Sequence, residues 1–173
     1  MPERFLVVYA SKKGSTKGIA DAIGKELQSM GYRADVAEMQ TVSSLDGYGA
    51  LVAGAPVYTG RVMGDLAAFA TRHADSLRKI PVAVFTAGIA PVYPKTGDVK
   101  DFTGQLTAAV QPAVPVAVTM FAGSLDPPKL SFVERGLTSL LKVPTGDFRD
   151  WGTIAAWART LPGLMGFAVG TKD

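Results

Sequence analysis

Ser11, Ser15 and Thr16 place three hydroxyls around Gly14 in the run Ser11-Lys12-Lys13-Gly14-Ser15-Thr16, a composition suited to gripping an anion. The run joins an apolar stretch, Leu6 to Tyr9, to a segment in which Ile19, Ile23, Leu27 and Met30 recur at helical spacing. A strand entering a helix through such a turn leaves the first helical N–H groups without partners, and the helix dipole favours negative charge there. The hydroxyls add donors, and Gly14 lets the backbone curl close to a bound group with no Cβ in the way. The run is neither G-x-G-x-x-G nor G-x-x-x-x-G-K-[ST], so neither a dinucleotide pyrophosphate nor a magnesium-bound triphosphate is the natural guest. A lone phosphomonoester held by hydroxyls and backbone amides fits better.

The elements needed to position such a loop are legible along the chain. Strands are expected at Arg4–Ala10, Arg33–Glu38, Gly49–Ala55, Pro81–Thr86 and Val114–Phe121, with helices at Ser15–Met30, Met63–Arg72, Val99–Val110 and Trp151–Leu161. Steady alternation of strand and helix patterns predicts a parallel sheet covered on both faces. We therefore expect a single α/β domain, a three-layer sandwich with a five-stranded parallel sheet in the order 2-1-3-4-5. Its ligand crevice would lie at the carboxyl ends of strands one and three, where the chain reverses direction.

Two further loops converge on that crevice. The first is Ala55-Pro56-Val57-Tyr58-Thr59-Gly60, where Pro and Gly fix a tight path and Tyr58 offers a flat aromatic face. The second follows Thr86 and reads Ala87-Gly88-Ile89-Ala90-Pro91-Val92-Tyr93, with Gly88 allowing close backbone approach. A phosphoacceptor receiver domain shares this architecture but needs acidic residues at the ends of strands one and three. Ala10-Ser11 and Ala55-Pro56 stand there instead.

The 173 residues carry a net charge of +3. Charges of both signs are scattered, with no basic run or aromatic-basic alternation that would mark a nucleic-acid surface. With no cysteine in the chain, disulfides, thiolate metal sites and cysteine nucleophiles are excluded, and redox chemistry would need a bound organic cofactor. Met1-Pro2-Glu3-Arg4 runs straight into the first strand, and no apolar run reaches the roughly 18 residues that span a bilayer. A cytoplasmic protein is expected. His73, the one histidine, falls at a helix end away from the crevice, where it would interact with the helix dipole.

The first loop resembles the N-terminal signature of the flavodoxin family. Val7, Val8, Tyr9, Ser11, Gly14, Thr16, Ala20 and Ile23 stand at the signature positions without a mismatch. The resemblance implies FMN as cofactor, its phosphate on Ser11, Lys12, Lys13, Gly14, Ser15 and Thr16. It implies an isoalloxazine ring bracketed by Pro56, Val57, Tyr58, Thr59 and Gly60 on one side. On the other it implies Thr86, Ala87, Gly88, Ile89, Ala90 and Tyr93. No metal is implied.

A segment at Gly123–Gly146 exceeds what a minimal five-stranded member requires. After Asp126-Pro127-Pro128, an apolar stripe of Leu130, Val133, Leu137, Leu140 and Leu141 opposes Glu134, Arg135, Ser139 and Lys142. Such a helix could cover its own domain, lie on a membrane surface, dock a partner or close over a hydrophobic substrate. A short tail at 162–173 follows the last helix.

F-A-G-S-L-D-P-P (121–128), T-G-D-F-R-D-W (145–151), A-x-W-A-R (155–159), F-A-T-R-H-A-D-S-L-R-K-I-P (69–81) and G-A-P-V-Y-T-G (54–60) together resemble the menaquinone-dependent protoporphyrinogen dehydrogenases. These are flavodoxin-fold enzymes of haem biosynthesis. That resemblance implies an oxidoreductase taking electrons from protoporphyrinogen IX to a quinone. The flavodoxin resemblance alone implies a carrier shuttling electrons between redox protein partners, with no substrate of its own. The insertion and the basic charge balance favour the enzyme; the lack of an evident acid–base residue near the crevice favours the carrier.

Overall fold

The computed structural model describes residues 4–11, 14–58, 60–125, 135–136 and 146–167. Strand β1 (Arg4–Tyr9) leads through the hydroxyl loop into α1 (Ser15–Ser29), then β2 (Arg33–Glu38). Next come β3 (Ala50–Tyr58), the two-residue β4 (Arg61–Val62), α2 (Asp65–Arg72) and the short α3 (Ala74–Leu77). The chain continues through β5 (Val82–Gly88), α4 (Val99–Ala109), β6 (Ala117–Ala122), β7 (Ser124–Leu125), β8 (Gly146–Asp147) and α5 (Trp151–Leu164).

The parallel strands lie in the order β2-β1-β3-β5-β6, with β4 paired antiparallel to β3. Leaving β4 uncounted, this is the expected 2-1-3-4-5 sheet. Alternation along β1 explains the three layers. Phe5 and Val7 face one core with Ile19, Ile23 and Leu27 of α1 and Ile154 and Leu161 of α5. Leu6 and Val8 face the other, with Leu66 and Phe69 of α2 and Leu106 of α4. Gly24 is the point of closest approach between α1 and β2, since a Cβ there would stand 2.5 Å from a Val36 methyl. An ion pair of 2.8 Å from Arg159 to Glu26 ties α5 to α1.

Several boundaries differ from expectation, each for a tertiary reason. The loop after the third expected strand was to begin at Ala55, but β3 runs on through Tyr58. The Gly54 carbonyl accepts from Ala10 N at 2.9 Å, and Pro56, two residues on, presents its missing N–H toward the same edge. β1 has ended there, so the absent donor costs no bond to β1, and the Pro56 carbonyl accepts instead from Met63 N at 3.0 Å. β4 then pairs with Val57 and Tyr58, and α2 consequently starts at Asp65 rather than Met63. β5 likewise continues through Ala87 and Gly88, because Pro56 and Ala122 supply neighbours for them on either side. β6 begins at Ala117, not Val114, which is 83% exposed. Residues 162–167 are not a tail: α5 runs to Leu164 with Pro162 inside it, and the Phe167 ring meets Phe5 edge-on at 5.0 Å between centroids.

His73 closes α2, but its role is not that of a cation on the dipole. It is buried, its ring lies 4.5 Å from that of Phe69, and its Nε2 accepts a hydrogen bond from Arg72 Nε at 3.3 Å. Burial and then the neighbouring Arg72 charge push its pKa below the ordinary value, with a backbone hydrogen bond to Val42 opposing them. The unfolded chain therefore binds this proton more readily than the folded one. Stability from a neutral His73 is complete above the ordinary histidine pKa of 6.5 and declines as pH falls below it. Thermal unfolding followed from pH 7.5 to 5 should show a falling melting temperature whose slope flattens in His73→Phe. An equal slope in that variant would assign the effect elsewhere.

Candidate functional site

The sheet register assembles the site. Tyr9 at the end of β1 stands opposite Gly54, while Ala55 and Pro56 stand opposite Thr86 and Ala87 of β5. Gly88 in turn stands opposite Ala122 of β6. The carboxyl ends of β1, β3 and β5 therefore form one continuous edge, and α1 starts from it because only the hydroxyl loop separates it from β1.

At that loop Gly14 adopts the left-handed conformation, φ 88°, as the residue preceding α1. Its amide donates to Ser11 Oγ at 2.8 Å, which curls the chain back on itself. No side chain caps α1, and its first turn contains no acidic residue. The other long helices are arranged differently. Asp98 and Asp150 cap α4 and α5 by accepting from Lys100 N and Thr153 N, and α2 carries Asp65 in its first turn. A carboxylate at these positions quiets the dipole and the orphan N–H groups. At α1 both are left available.

Thr16 carries the most specific signal. It is fully buried, and its Oγ1 is the one buried side-chain polar atom among the described residues with no hydrogen-bond partner. Leaving a buried hydroxyl unpaired costs on the order of 1–3 kcal/mol. Such a group is explained when a ligand completes it. The donor set of Ser11, Ser15 and Thr16 hydroxyls with the amides of the first turn is acceptor-seeking, and a phosphate fits it.

The remaining expected residues divide as follows. Pro56, Val57 and Tyr58 are half-buried on the last residues of β3, and Gly60 is exposed in the turn to β4 with φ 79°. Thr86 is fully buried, and its Oγ1 donates to the Ala55 carbonyl at 2.6 Å. Its role is to clamp β5 to β3. Ala87 is buried, and Gly88 sits against Met120 and Val57, so that a Cβ there would meet them at 3.0 and 3.3 Å. Ile89 opens a turn by accepting from the amides of Val92 and Tyr93 at 3.0 and 2.8 Å. Ala90 is buried within that turn, and Tyr93 is half-buried at its end. An open cleft of about 530 Å³ is lined by Ala90, Pro91 and Val99 as apolar walls, with Lys95 and Asp98 as charges of opposite sign. Lys12, Lys13 and Thr59 lie outside the described residues, as does the apolar stripe at 130–141. Of the stretch around it, Arg135 and Gly136 are helical and exposed.

A family model described as the flavodoxin domain matches residues 6–151. The chain belongs to the flavodoxin domain family. Protoporphyrinogen IX dehydrogenase (quinone) of Escherichia coli strain K12 is 23% identical, over 92% of this chain and 94% of that protein. A flavoprotein in complex with FMN from Lactobacillus acidophilus NCFM has the same fold at a TM-score of 0.53 and 14% identity, over 69% of this chain and 93% of that one. Oxidised flavodoxin 2 from Bacillus cereus does so at 0.51 and 20% identity, over 69% and 84%.

Within this flavodoxin domain the structure adds a residue that sequence reasoning did not single out. Arg149 Nη1 donates to the Ser15 carbonyl at 3.3 Å, at the first residue of α1. Its Nε and Nη2 form a fork on the Asp147 carboxylate at 2.8 and 2.7 Å. The guanidinium holds the Asp147 carboxyl well below the usual range, at about 2. The motif T-G-D-F-R-D-W contained the signal, since Asp147 and Arg149 two residues apart can pair locally, but no spacing along the chain leads from it to Ser15.

Proposed function

We propose that this chain binds one FMN non-covalently and uses it to oxidise a reduced organic substrate, protoporphyrinogen IX foremost, with a quinone as electron acceptor. The buried, unpartnered Thr16 hydroxyl at the uncapped start of α1 is the observation that carries the cofactor assignment. In this reading the phosphate rests on Ser11, Lys12, Lys13, Gly14, Ser15 and Thr16. The ring lies between Pro56–Gly60 and Ala87–Tyr93, with Tyr58 the first candidate to stack on it. FMN would supply the redox centre, accepting electrons from one reactant and yielding them to the next. The protein holds the ring, shapes the wall against which a substrate lies and limits water.

The substrate class is supported by a relative whose match spans nearly all of both chains, so that it includes the segment after β6. The cleft that follows Ile89 offers an apolar wall of Ala90, Pro91 and Val99, with Lys95 and Asp98 as lining charges of opposite sign, and that wall suits part of a flat hydrophobic molecule. Among the described residues no helix is long and apolar enough to cross a membrane, so a quinone would be met at a surface.

Purified apoprotein should take up FMN and discriminate against FAD, whose corresponding phosphate is tied into a pyrophosphate. Under anaerobic conditions, protoporphyrinogen IX should bleach the bound flavin, and a soluble menaquinone analogue should restore its absorbance. Tighter binding of FAD than FMN would overturn the cofactor assignment. A flavin reduced by redox proteins but inert to protoporphyrinogen would overturn the dehydrogenase and leave an electron carrier.

A further inference from the structure

We infer that Arg149 is the positioning residue through which the stem of the insertion holds the first turn of α1, and that it thereby sets the preference of the site for a phosphorylated flavin. The inference rests on the FMN reading above. It starts from the fact that, among the described residues, α1 has neither a capping side chain nor a first-turn carboxylate, and the loop before it is held locally by the bond from Gly14 N to Ser11 Oγ and a longer one from Gly18 N to the Gly14 carbonyl. Arg149 supplies the missing restraint from across the sequence. Its side chain is 18% exposed, and its planar head is committed on three sides. It bonds the Ser15 carbonyl, it forks onto Asp147, and it stacks over Trp151 at 4.8 Å from the ring centroid.

Gly18 records the same contact from the helix side. A Cβ at that position would stand 2.6 Å from Arg149 Nη1, so the glycine is the space in which the guanidinium lies. A glycine in the interior of α1 is otherwise unfavourable. The stem also reaches the ring end of the cradle. Gly123 N donates to the Gly88 carbonyl at 2.8 Å, Phe148 N donates to the Gly123 carbonyl at 3.0 Å, and Ser124 pairs with Asp147 across the β7–β8 ladder. Residues 146–149 thus span from Gly88 to Ser15, the two ends between which a flavin mononucleotide would lie.

Asp147 neutralises Arg149, so the pair adds no net charge to the loop, and its influence is geometric. By holding the Ser15 carbonyl it fixes the Ser15–Thr16 peptide plane and so the direction of the Thr16 amide, beside the Thr16 hydroxyl, which is buried and lacks a partner. A planar fork does this and an ammonium does not, so lysine should fail to replace arginine.

The test compares FMN with riboflavin on the full-length apoprotein by quenching of flavin fluorescence. Arg149→Met should weaken FMN by about tenfold, roughly the worth of a hydrogen bond to an ionised group, while riboflavin affinity stays unchanged. Arg149→Lys should behave as Arg149→Met. Gly18→Ala should show the same selective loss even though alanine improves the helix, and it carries the test should Arg149→Met fail to fold. An unchanged FMN-to-riboflavin ratio in Gly18→Ala, or full rescue by Arg149→Lys, would overturn the role of Arg149. Wild-type apoprotein that binds riboflavin as tightly as FMN would instead overturn the phosphate site itself.

Discussion

Thr16→Val should weaken FMN binding by roughly ten- to a hundredfold and, in the same protein without cofactor, leave stability unchanged or raised. The two signs come from one atom. Oγ1 is buried and unpartnered in the free chain, so it contributes a desolvation cost of about 1–3 kcal/mol that a methyl group of the same shape removes. In the complex that hydroxyl would donate to a phosphate oxygen, and a hydrogen bond to a charged acceptor is worth about 1.5–3 kcal/mol. Fluorescence titration of FMN and chemical denaturation of the apoprotein read the two effects separately. Affinity equal to wild type would remove Thr16 from the site. Marked destabilisation of the apoprotein would show that the hydroxyl serves the fold.

Gly54→Ala should destabilise the protein by about 3 kcal/mol, the upper end of the usual cost of overpacking a core. Gly54 stands opposite Phe85 on the neighbouring strand. The Phe85 ring lies directly over the Gly54 backbone, in the space where a Cβ would project. That ring cannot easily withdraw, since Phe121 and Trp157 lie 5.8 and 6.1 Å from it, centroid to centroid. Because Gly54 also accepts from Ala10 N just before the hydroxyl loop, a shift of β3 reaches the phosphate end of the site. Urea denaturation should show a lowered midpoint at unchanged slope, and Gly54→Ala combined with Phe85→Leu should recover much of the loss. A single variant as stable as wild type would show that the ring has another place to go.

Much of this molecule was legible in the chain because the determinants are local. Leu6 to Tyr9 is apolar on both faces, as only a central strand can be, and Ile19, Ile23 and Leu27 keep helical register directly after Gly14. Strand–helix alternation carried the sheet order as well, since right-handed crossovers leave few ways to arrange five such strands. The hydroxyl loop, too, is legible from residue types and spacing alone, as a turn between β1 and α1 with an uncapped helix start.

Element ends and the partners of individual atoms were decided elsewhere. Pro56 reads as a break in the sequence, yet it remains in β3 because β1 stops short of it. Thr86 reads as a crevice residue, and only the fold shows that its hydroxyl donates to the Ala55 carbonyl. His73 reads as a residue on the helix dipole, yet burial against Phe69 and the Arg72 charge push its pKa below the ordinary value.

The architecture and the turn that joins β1 to α1 follow from periodicity and from residues adjacent in the chain. What only the tertiary structure decided is how that loop is held. The contact of Arg149 with Ser15 joins residues 134 positions apart, and the emptiness at Gly18 has meaning only once the guanidinium occupies it. A hydrogen bond across such a distance depends on the shape of everything folded between its ends, and no local pattern encodes it.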